Sequence, residues 1–103
     1  MDITYEIMDG ASPFLSELRY DVIARELVMI AVDGLETMNA VKRIVFPAIT
    51  NYSEEVDLDE LDDLLIESVI GIHWSGDKEL CVKTDTREIV VKLEGEPRAE
   101  TIT

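Results

Sequence analysis

Apolar and polar residues alternate along the last third of the chain. In "IESVIGIHW", residues 66–74, the positions of Ile70, Ile72 and Trp74 alternate with those of Gly71 and His73. A period of two residues is typical of a β-strand with one buried face. The runs "ELCVKT" and "REIVVKLE" follow, separated by the turn sequences "SGDK" and "DT". These short connections predict a C-terminal three-strand antiparallel meander with Ile70, Ile72 and Trp74 facing the core.

Two further segments carry strand patterns. Residues 3–8, "ITYEIM", alternate and predict a strand that the turn residues 9–10, "DG", bring to an end. Residues 39–49, "NAVKRIVFPAI", predict another strand. Because Pro47 has no N–H to donate to a neighbouring strand, it marks a strand end, a bulge or an edge. Residues 51–53, "NYS", then predict a loop.

Residues 13–32 admit two interpretations. A helix there places Arg25 and Glu26 where its apolar face requires apolar residues. Two strands, at residues 18–21 and 27–32, instead flank a loop, and the second contains "LVMIAV", which is rich in residues that favour sheets. We favour the strands and keep the helix as the alternative.

The acidic run "EEVDLDELDDLLIESV", residues 54–69, holds eight carboxylates and no basic residue. On a helix over residues 57–66 its leucines form one stripe and its acids face water. The tail, residues 95–103, contains Gly95, Pro97 and few apolar residues, and it predicts a frayed end. The sequence thus predicts one α+β domain over residues 1–103, mainly antiparallel sheet, with one short acidic amphipathic helix packed on it.

Composition narrows the class of protein. A chain of 103 residues that is 47% hydrophobic is typical of one globular domain. Its longest apolar run is far shorter than the roughly 20 residues that span a bilayer, and its N-terminus predicts no secretory signal. A single cysteine, Cys81, forms no internal disulfide, which is typical of a reducing compartment. We therefore expect a cytoplasmic protein.

The net charge limits the kinds of partner that the protein can bind. The formal net charge is −14, and between Arg43 and Lys78 lie nine acids and no base. Such a surface repels nucleic-acid phosphates and anionic membranes and attracts a basic protein. We therefore expect a protein partner, with no direct nucleic-acid binding and no membrane binding. The oligomeric state is left open.

The acidic run has three interpretations: the solvated face of a helix, a cation site, and a recognition surface for a basic partner. An EF-hand is excluded because Leu61, Asp62 and Ser68 stand at positions that need other residues. An irregular cation site among Asp59, Asp62 and Asp63 stays open. For the recognition surface, the candidate partner-binding residues are Tyr52, Glu54, Glu55, Asp59, Glu60, Asp62, Asp63 and Glu67.

Catalytic chemistry finds little support in the sequence. His73 is the single histidine, too few for a typical histidine-rich metal site. A nucleophile–base pair of Cys81 and His73 is conceivable, but the apolar neighbour Val82 favours a packed cysteine. The glycines are scattered and form no phosphate-binding loop. We predict no enzyme activity and no cofactor.

The order "LRYD…RELVMIAVDG…VKRIVFPAI" resembles a group of small, mostly uncharacterised bacterial proteins. In that group a "yD" strand, an "reL" strand and an "I-x-F-x-x-V"-like strand precede an acidic connection and a terminal meander. Some members look like immunity proteins that neutralise toxins. The resemblance covers about residues 15–93, departs from the pattern at Pro47, and implies a sheet-based binding module without catalysis. The alternatives are a structural or self-assembling subunit and a nucleic-acid-mimicking inhibitor.

Overall fold

Eight strands and one short helix make up the computed structural model of this chain, which describes residues 2–8, 11–34, 36–56 and 67–102. Helix α1 covers Thr4–Met8. The strands are β1 (Leu15–Asp21), β2 (Glu26–Val32), β3 (Ala40–Phe46), β4 (Ile49–Val56), β5 (Val69–Trp74), β6 (Glu79–Thr84), β7 (Arg87–Leu93) and β8 (Arg98–Thr101). Antiparallel sheet therefore dominates the fold, as the sequence predicts.

The strands form two four-stranded sheets. The first sheet has the order β1-β2-β3-β8 and the second the order β4-β7-β6-β5, with antiparallel pairing throughout. The predicted C-terminal meander corresponds to β5, β6 and β7, but β4 adds a fourth strand beside β7. Alternate residues of both sheets, among them Leu27, Phe46, Ile72 and Ile89, enter one shared apolar core.

A sharp corner carries the chain from the first sheet to the second between β3 and β4. Pro47 and Ala48 form it, and Ala48 adopts a φ of 53°, in the left-handed region. Pro47 thus ends a strand, one of the roles that the sequence predicts for it. The connection from β7 to β8 returns over this corner, since Glu94 N–H donates to the Ala48 carbonyl at 2.9 Å.

Strand β1 reaches both edges of the second sheet. At its start, Leu15 N–H donates to the Glu67 carbonyl at 2.9 Å, next to β5. Near its end, the ring of Tyr20 stacks on that of Tyr52 in β4, with centroids 4.3 Å apart. Because β4 and β5 are the two edges of the second sheet, β1 crosses that sheet from edge to edge.

The N-terminal segment covers the outer edge of β5. Ile3 N–H donates to the Ile72 carbonyl, and the Thr4 hydroxyl accepts from Ile72 N–H, both at 2.8 Å. Residues 4–8 are helical, so the prediction of a strand over residues 3–8 is wrong. Ile3 and Ile7 are four residues apart, a spacing that places them on one face in a helix as well as in a strand. The Asp2 carboxylate accepts from Thr4 N–H and thereby caps the helix.

A β-bulge changes which residues of β5 enter the core. Val69 pairs with Thr84 and Gly71 with Lys83, so two residues of β5 oppose one residue of β6. The extra residue is Ile70, which is 60% exposed, whereas Val69 is buried. The predicted inward face of Ile70, Ile72 and Trp74 is therefore wrong at Ile70, because the bulge shifts the alternation by one residue.

Two segments predicted to lack regular structure form strands. Residues 51–53 belong to β4, an edge strand whose mostly polar side chains hide its strand character. Residues 98–101, in the predicted frayed tail, form β8, which pairs with β3 although all four of its side chains are exposed. Of residues 13–32, the strand interpretation is confirmed. The predicted helix at 57–66 lies outside the described residues.

Gly95 provides a test of the corner. A methyl group added there lies 2.9 Å from Cγ of the rigid Pro47 ring and 3.3 Å from its carbonyl oxygen. We expect Gly95→Ala to lower the free energy of unfolding by about 1–3 kcal/mol, since neither contact moves away without shifting the corner. Gly76→Ala is the matched control, because its nearest contact, at 3.6 Å, is an ordinary one. Urea unfolding followed by circular dichroism measures both, and equal stabilities contradict the close packing.

Candidate functional site

The structure places half of the candidate partner-binding residues. Tyr52, Glu54 and Glu55 lie on β4, and Glu67 lies two residues before the start of β5. The other four, Asp59, Glu60, Asp62 and Asp63, lie outside the described residues, as does the possible cation site among the aspartates. Residues 57–66 thus join two strands that form opposite edges of the second sheet.

Arg87, the first residue of β7, binds two of the candidate carboxylates. Its Nε and Nη2 donate to the two oxygens of Glu67, each at 2.7 Å, in a bidentate pair. Its Nη1 donates to Oε1 of Glu54. The hydroxyls of Thr84 and Thr86 also donate to Oε2 of Glu67, both at 2.7 Å. We call these five residues the Arg87 cluster.

Strand geometry produces this cluster. Glu54 pairs with Ile89 and Arg87 with Val56, so Glu54 and Arg87 lie on the same face of β4 and β7. Thr84 ends β6, and its buried hydroxyl also accepts from the backbone N–H groups of Thr86 and Arg87. The turn between β6 and β7 is therefore built around the Thr84 hydroxyl, which accepts from the turn's backbone and donates to Glu67.

These contacts determine the protonation states of Glu67 and Arg87. Burial by itself raises the pKa of Glu67, but hydrogen bonds from Arg87, Thr86 and Thr84 outweigh it and lower the pKa to about 2. The hydrogen bonds that Arg87 donates, first to Glu67 and then to Glu54, raise the pKa of its guanidinium above its ordinary value. Glu54 and Glu67 are thus held as structural counterions, which the sequence-based list of binding residues does not anticipate.

Tyr52 belongs to an aromatic pair. Its ring is stacked on that of Tyr20, with an interplanar angle of 2°, and both rings are half-buried against the core. Burial, and after it the charge of Glu54, raise the pKa of the Tyr52 hydroxyl. The stack gives the β4 surface a rigid aromatic element of the kind that is enriched in protein interfaces.

Glu55 points away from the Arg87 cluster. It pairs across the sheet with Glu88 on β7, so two like charges stand opposite each other. Its side chain is exposed and makes no ion pair with any described residue. A like-charge pair directly opposite in a sheet is destabilising. Glu55 therefore contributes free negative charge to this surface.

The turn between β1 and β2 is an apolar feature that sequence reasoning misses. Val22 is 72% exposed and Ile23 is 96% exposed. The Asp21 carboxylate accepts from the N–H groups of Ile23 and Ala24, both at 3.0 Å, which fixes the turn. The sequence signal for it is two large apolar residues inside a turn segment, directly after Tyr20. The exposed pair therefore stands at the turn that follows β1, directly after Tyr20 and Asp21 in the chain.

Cys81 and His73 do not form an activated pair. They are cross-strand partners on β6 and β5, but Cys81 is buried and His73 is exposed. Burial, and then the nearby charge of Glu88, raise the pKa of the Cys81 thiol. A raised pKa keeps the thiol protonated, which opposes nucleophilic chemistry.

Comparisons with known proteins identify no relative. No family model matches the chain, and neither the curated proteins nor the solved structures include a significant match. Across the described ranges, no group of three or more His, Cys, Asp and Glu side chains is placed to hold a metal ion. Nor does any helix in these ranges have the length and apolar character to cross a membrane. Function is therefore inferred from the chain's own geometry.

The lowered pKa of Glu67 predicts a pH dependence. A carboxylate whose pKa is lower in the folded state stabilises the protein above its unfolded pKa, near 4.5, and loses this effect as pH falls toward about 2. At pH 7 we expect the wild type to be more stable than Glu67→Gln by about 2 kcal/mol, after allowance for solvent screening. The difference should shrink between pH 5 and pH 3.

Urea unfolding at several pH values measures this difference. Glu55→Gln is the matched control, because it makes the same chemical change at an exposed carboxylate without a described cation partner. It should not destabilise the protein at pH 7, because it removes one charge of the Glu55–Glu88 pair. A Glu67→Gln effect that stays constant from pH 7 to pH 3 contradicts the role of the charge in the Arg87 cluster.

Proposed function

We propose that the protein is a non-catalytic binding module for a basic protein. Its anchor consists of the β4 residues Tyr52, Glu54 and Glu55 together with residues 57–67. The supporting observation is the uneven charge: nine acids and no base lie between Arg43 and Lys78. Of the acids of this stretch that the structure describes, Glu54 and Glu67 pair with Arg87, and Glu55 makes no ion pair with a described residue. In this proposal the charge of Glu55 and of the acids in residues 57–66 attracts the partner.

The electrostatic field of such an acidic surface acts mainly on the rate at which the protein associates with its partner. Long-range attraction between an acidic surface and a basic protein accelerates association and fixes orientation, and it weakens as salt rises. Binding energy then comes from apolar and aromatic groups at the centre of the contact. The stacked rings of Tyr20 and Tyr52 and the exposed side chains of Val22 and Ile23 supply such groups.

The most specific form of this proposal is immunity to a toxin, the role implied by the resemblance of residues 15–93. A basic toxin that acts on nucleic acid has a surface that attracts carboxylates. In this form the protein acts in the cytoplasm, where a single buried thiol such as Cys81 stays reduced. Inhibition by mimicry of nucleic acid is a variant of the same electrostatics, and added DNA would then compete for the partner.

Self-assembly is a second candidate with its own observation. Val56 and Ile70, at the ends of β4 and β5 that residues 57–66 connect, are 61% and 60% exposed. Exposed apolar side chains on edge strands favour association between copies. Sedimentation at micromolar concentration tests this candidate: oligomers support it, and a monomer removes it.

Charge reversal tests the basic-partner proposal. A pull-down from lysate of the source organism, at low and high salt with mass spectrometry, first identifies what is retained. Changing Asp59, Asp62 and Asp63 to Lys should then slow association with that basic protein about tenfold at low salt and flatten its salt dependence. The dissociation rate should change less.

Matched single variants refine this test. Glu55→Lys and Glu36→Lys make the same change in net charge at exposed positions, but only Glu55 belongs to the proposed anchor. We expect Glu55→Lys to slow association more than Glu36→Lys, by stopped-flow or surface plasmon resonance. Equal effects, or an unchanged rate for the triple variant, contradict the proposed surface.

A further inference from the structure

A pocket of about 410 Å³ lies between α1, the turn that follows β5, and the connection from β7 to β8. This volume falls within the ~300–1,000 Å³ range of small-molecule sites. The pocket does not include the Arg87 cluster, the tyrosine stack or the β1–β2 turn. It is thus a second concave feature, and nothing in the proposed anchor uses it.

The floor of the pocket is apolar and consists mainly of buried residues. Ile3, Ile7 and Leu93 are buried core residues, and Trp74 lines the pocket while packing against the same core. Pro97 completes the apolar lining. Such a floor accepts an aliphatic chain, and an indole wall stabilises a cation brought near it.

The rim of the pocket is acidic. It carries the carboxylates of Glu6, Asp77, Glu94 and Glu96 and the ammonium of one lysine, Lys78, so four negative charges and one positive charge leave a net −3. Lys78 is already paired with Glu94, with Nζ 2.7 Å from Oε2. No described cation pairs with the other three carboxylates.

We propose that this pocket binds the side chain of a lysine or arginine from a polypeptide partner. The aliphatic stem lies on the floor of Ile3, Ile7 and Leu93, and the cationic head reaches the carboxylates of the rim near Trp74. A long apolar stem that ends in a positive charge matches both parts of the lining. That the side chain comes from a partner rests on the proposed function; the preference for a cation on an apolar stem does not.

Trp74 makes the test direct, because it is the single tryptophan of the chain. Blocked lysine (N-acetyl-lysine N-methylamide) is titrated against the protein, with tryptophan fluorescence and the NMR signal of the indole N–H as readouts. Blocked norleucine, which keeps the stem and lacks the charge, is the matched probe. We expect saturable binding of lysine in the millimolar range, at least fivefold tighter than that of norleucine and weakened by salt.

Variants show whether the rim is responsible. Glu6 and Glu96 are exposed, so the double variant Glu6→Gln/Glu96→Gln should fold normally and bind blocked lysine at least threefold more weakly. Glu36→Gln, an exposed carboxylate outside the pocket, should bind it unchanged. Equal binding of lysine and norleucine, no binding of either, or an unaffected double variant each overturns the proposal.

A small amine separates the possible sources of the cation. If n-butylamine binds while blocked lysine and blocked arginine do not, the pocket excludes a polypeptide side chain and the proposal fails. Binding of the blocked amino acids supports it. Because these titrations need no partner, a failure to find a basic protein in lysate overturns the proposed function and leaves the pocket's preference for a cation intact.

Discussion

One guanidinium holds together an end of the second sheet. Arg87 begins β7, its ligand Glu54 lies on β4, and its ligand Glu67 precedes β5 and accepts from Thr84 at the end of β6. The backbone carbonyl of Glu67 also receives the N–H of Leu15 at the start of β1. All four strands of one sheet and the first strand of the other therefore meet at these side chains. Val56 and Glu67, the described residues that flank segment 57–66, both lie at this end of the sheet.

This arrangement separates two uses of negative charge. Glu54 and Glu67 pair with Arg87 and help to position the strands. Glu55, on the opposite side of β4, is exposed to solvent. The rim of the pocket between α1, the turn after β5 and the β7–β8 connection repeats the division: Glu94 pairs with Lys78, and no described cation pairs with Glu6, Asp77 or Glu96. Net charge alone therefore does not indicate which carboxylates are available to a partner; the pairing pattern does.

Strands that bury apolar residues could be predicted from the sequence, and strands with mostly exposed side chains could not. The strands within residues 13–32 were predictable because "LVMIAV" supplies a buried pattern, but β4 and β8 were not, since their side chains are mostly exposed. The bulge at Ile70 has one local signal, the adjacent Gly71 inside the strand pattern. The Arg87 cluster joins residues 20 and 33 positions apart, a distance over which charge patterns carry no information about pairing. The role of Asp59, Asp62 and Asp63 in partner binding stays a hypothesis from the sequence.

The covered edge of β5 has a consequence for synthesis. Ile3 and Thr4 bond to Ile72, a partner made almost 70 residues later. At about 5–20 residues per second, the N-terminal segment waits roughly 3–14 seconds on the ribosome before that strand exists. Its buried isoleucines are exposed during this interval, and contacts of such long sequence separation form slowly. Ile3 and Ile7 thus stay without their native neighbours for this interval, and the nascent chain must remain soluble until β5 has been made.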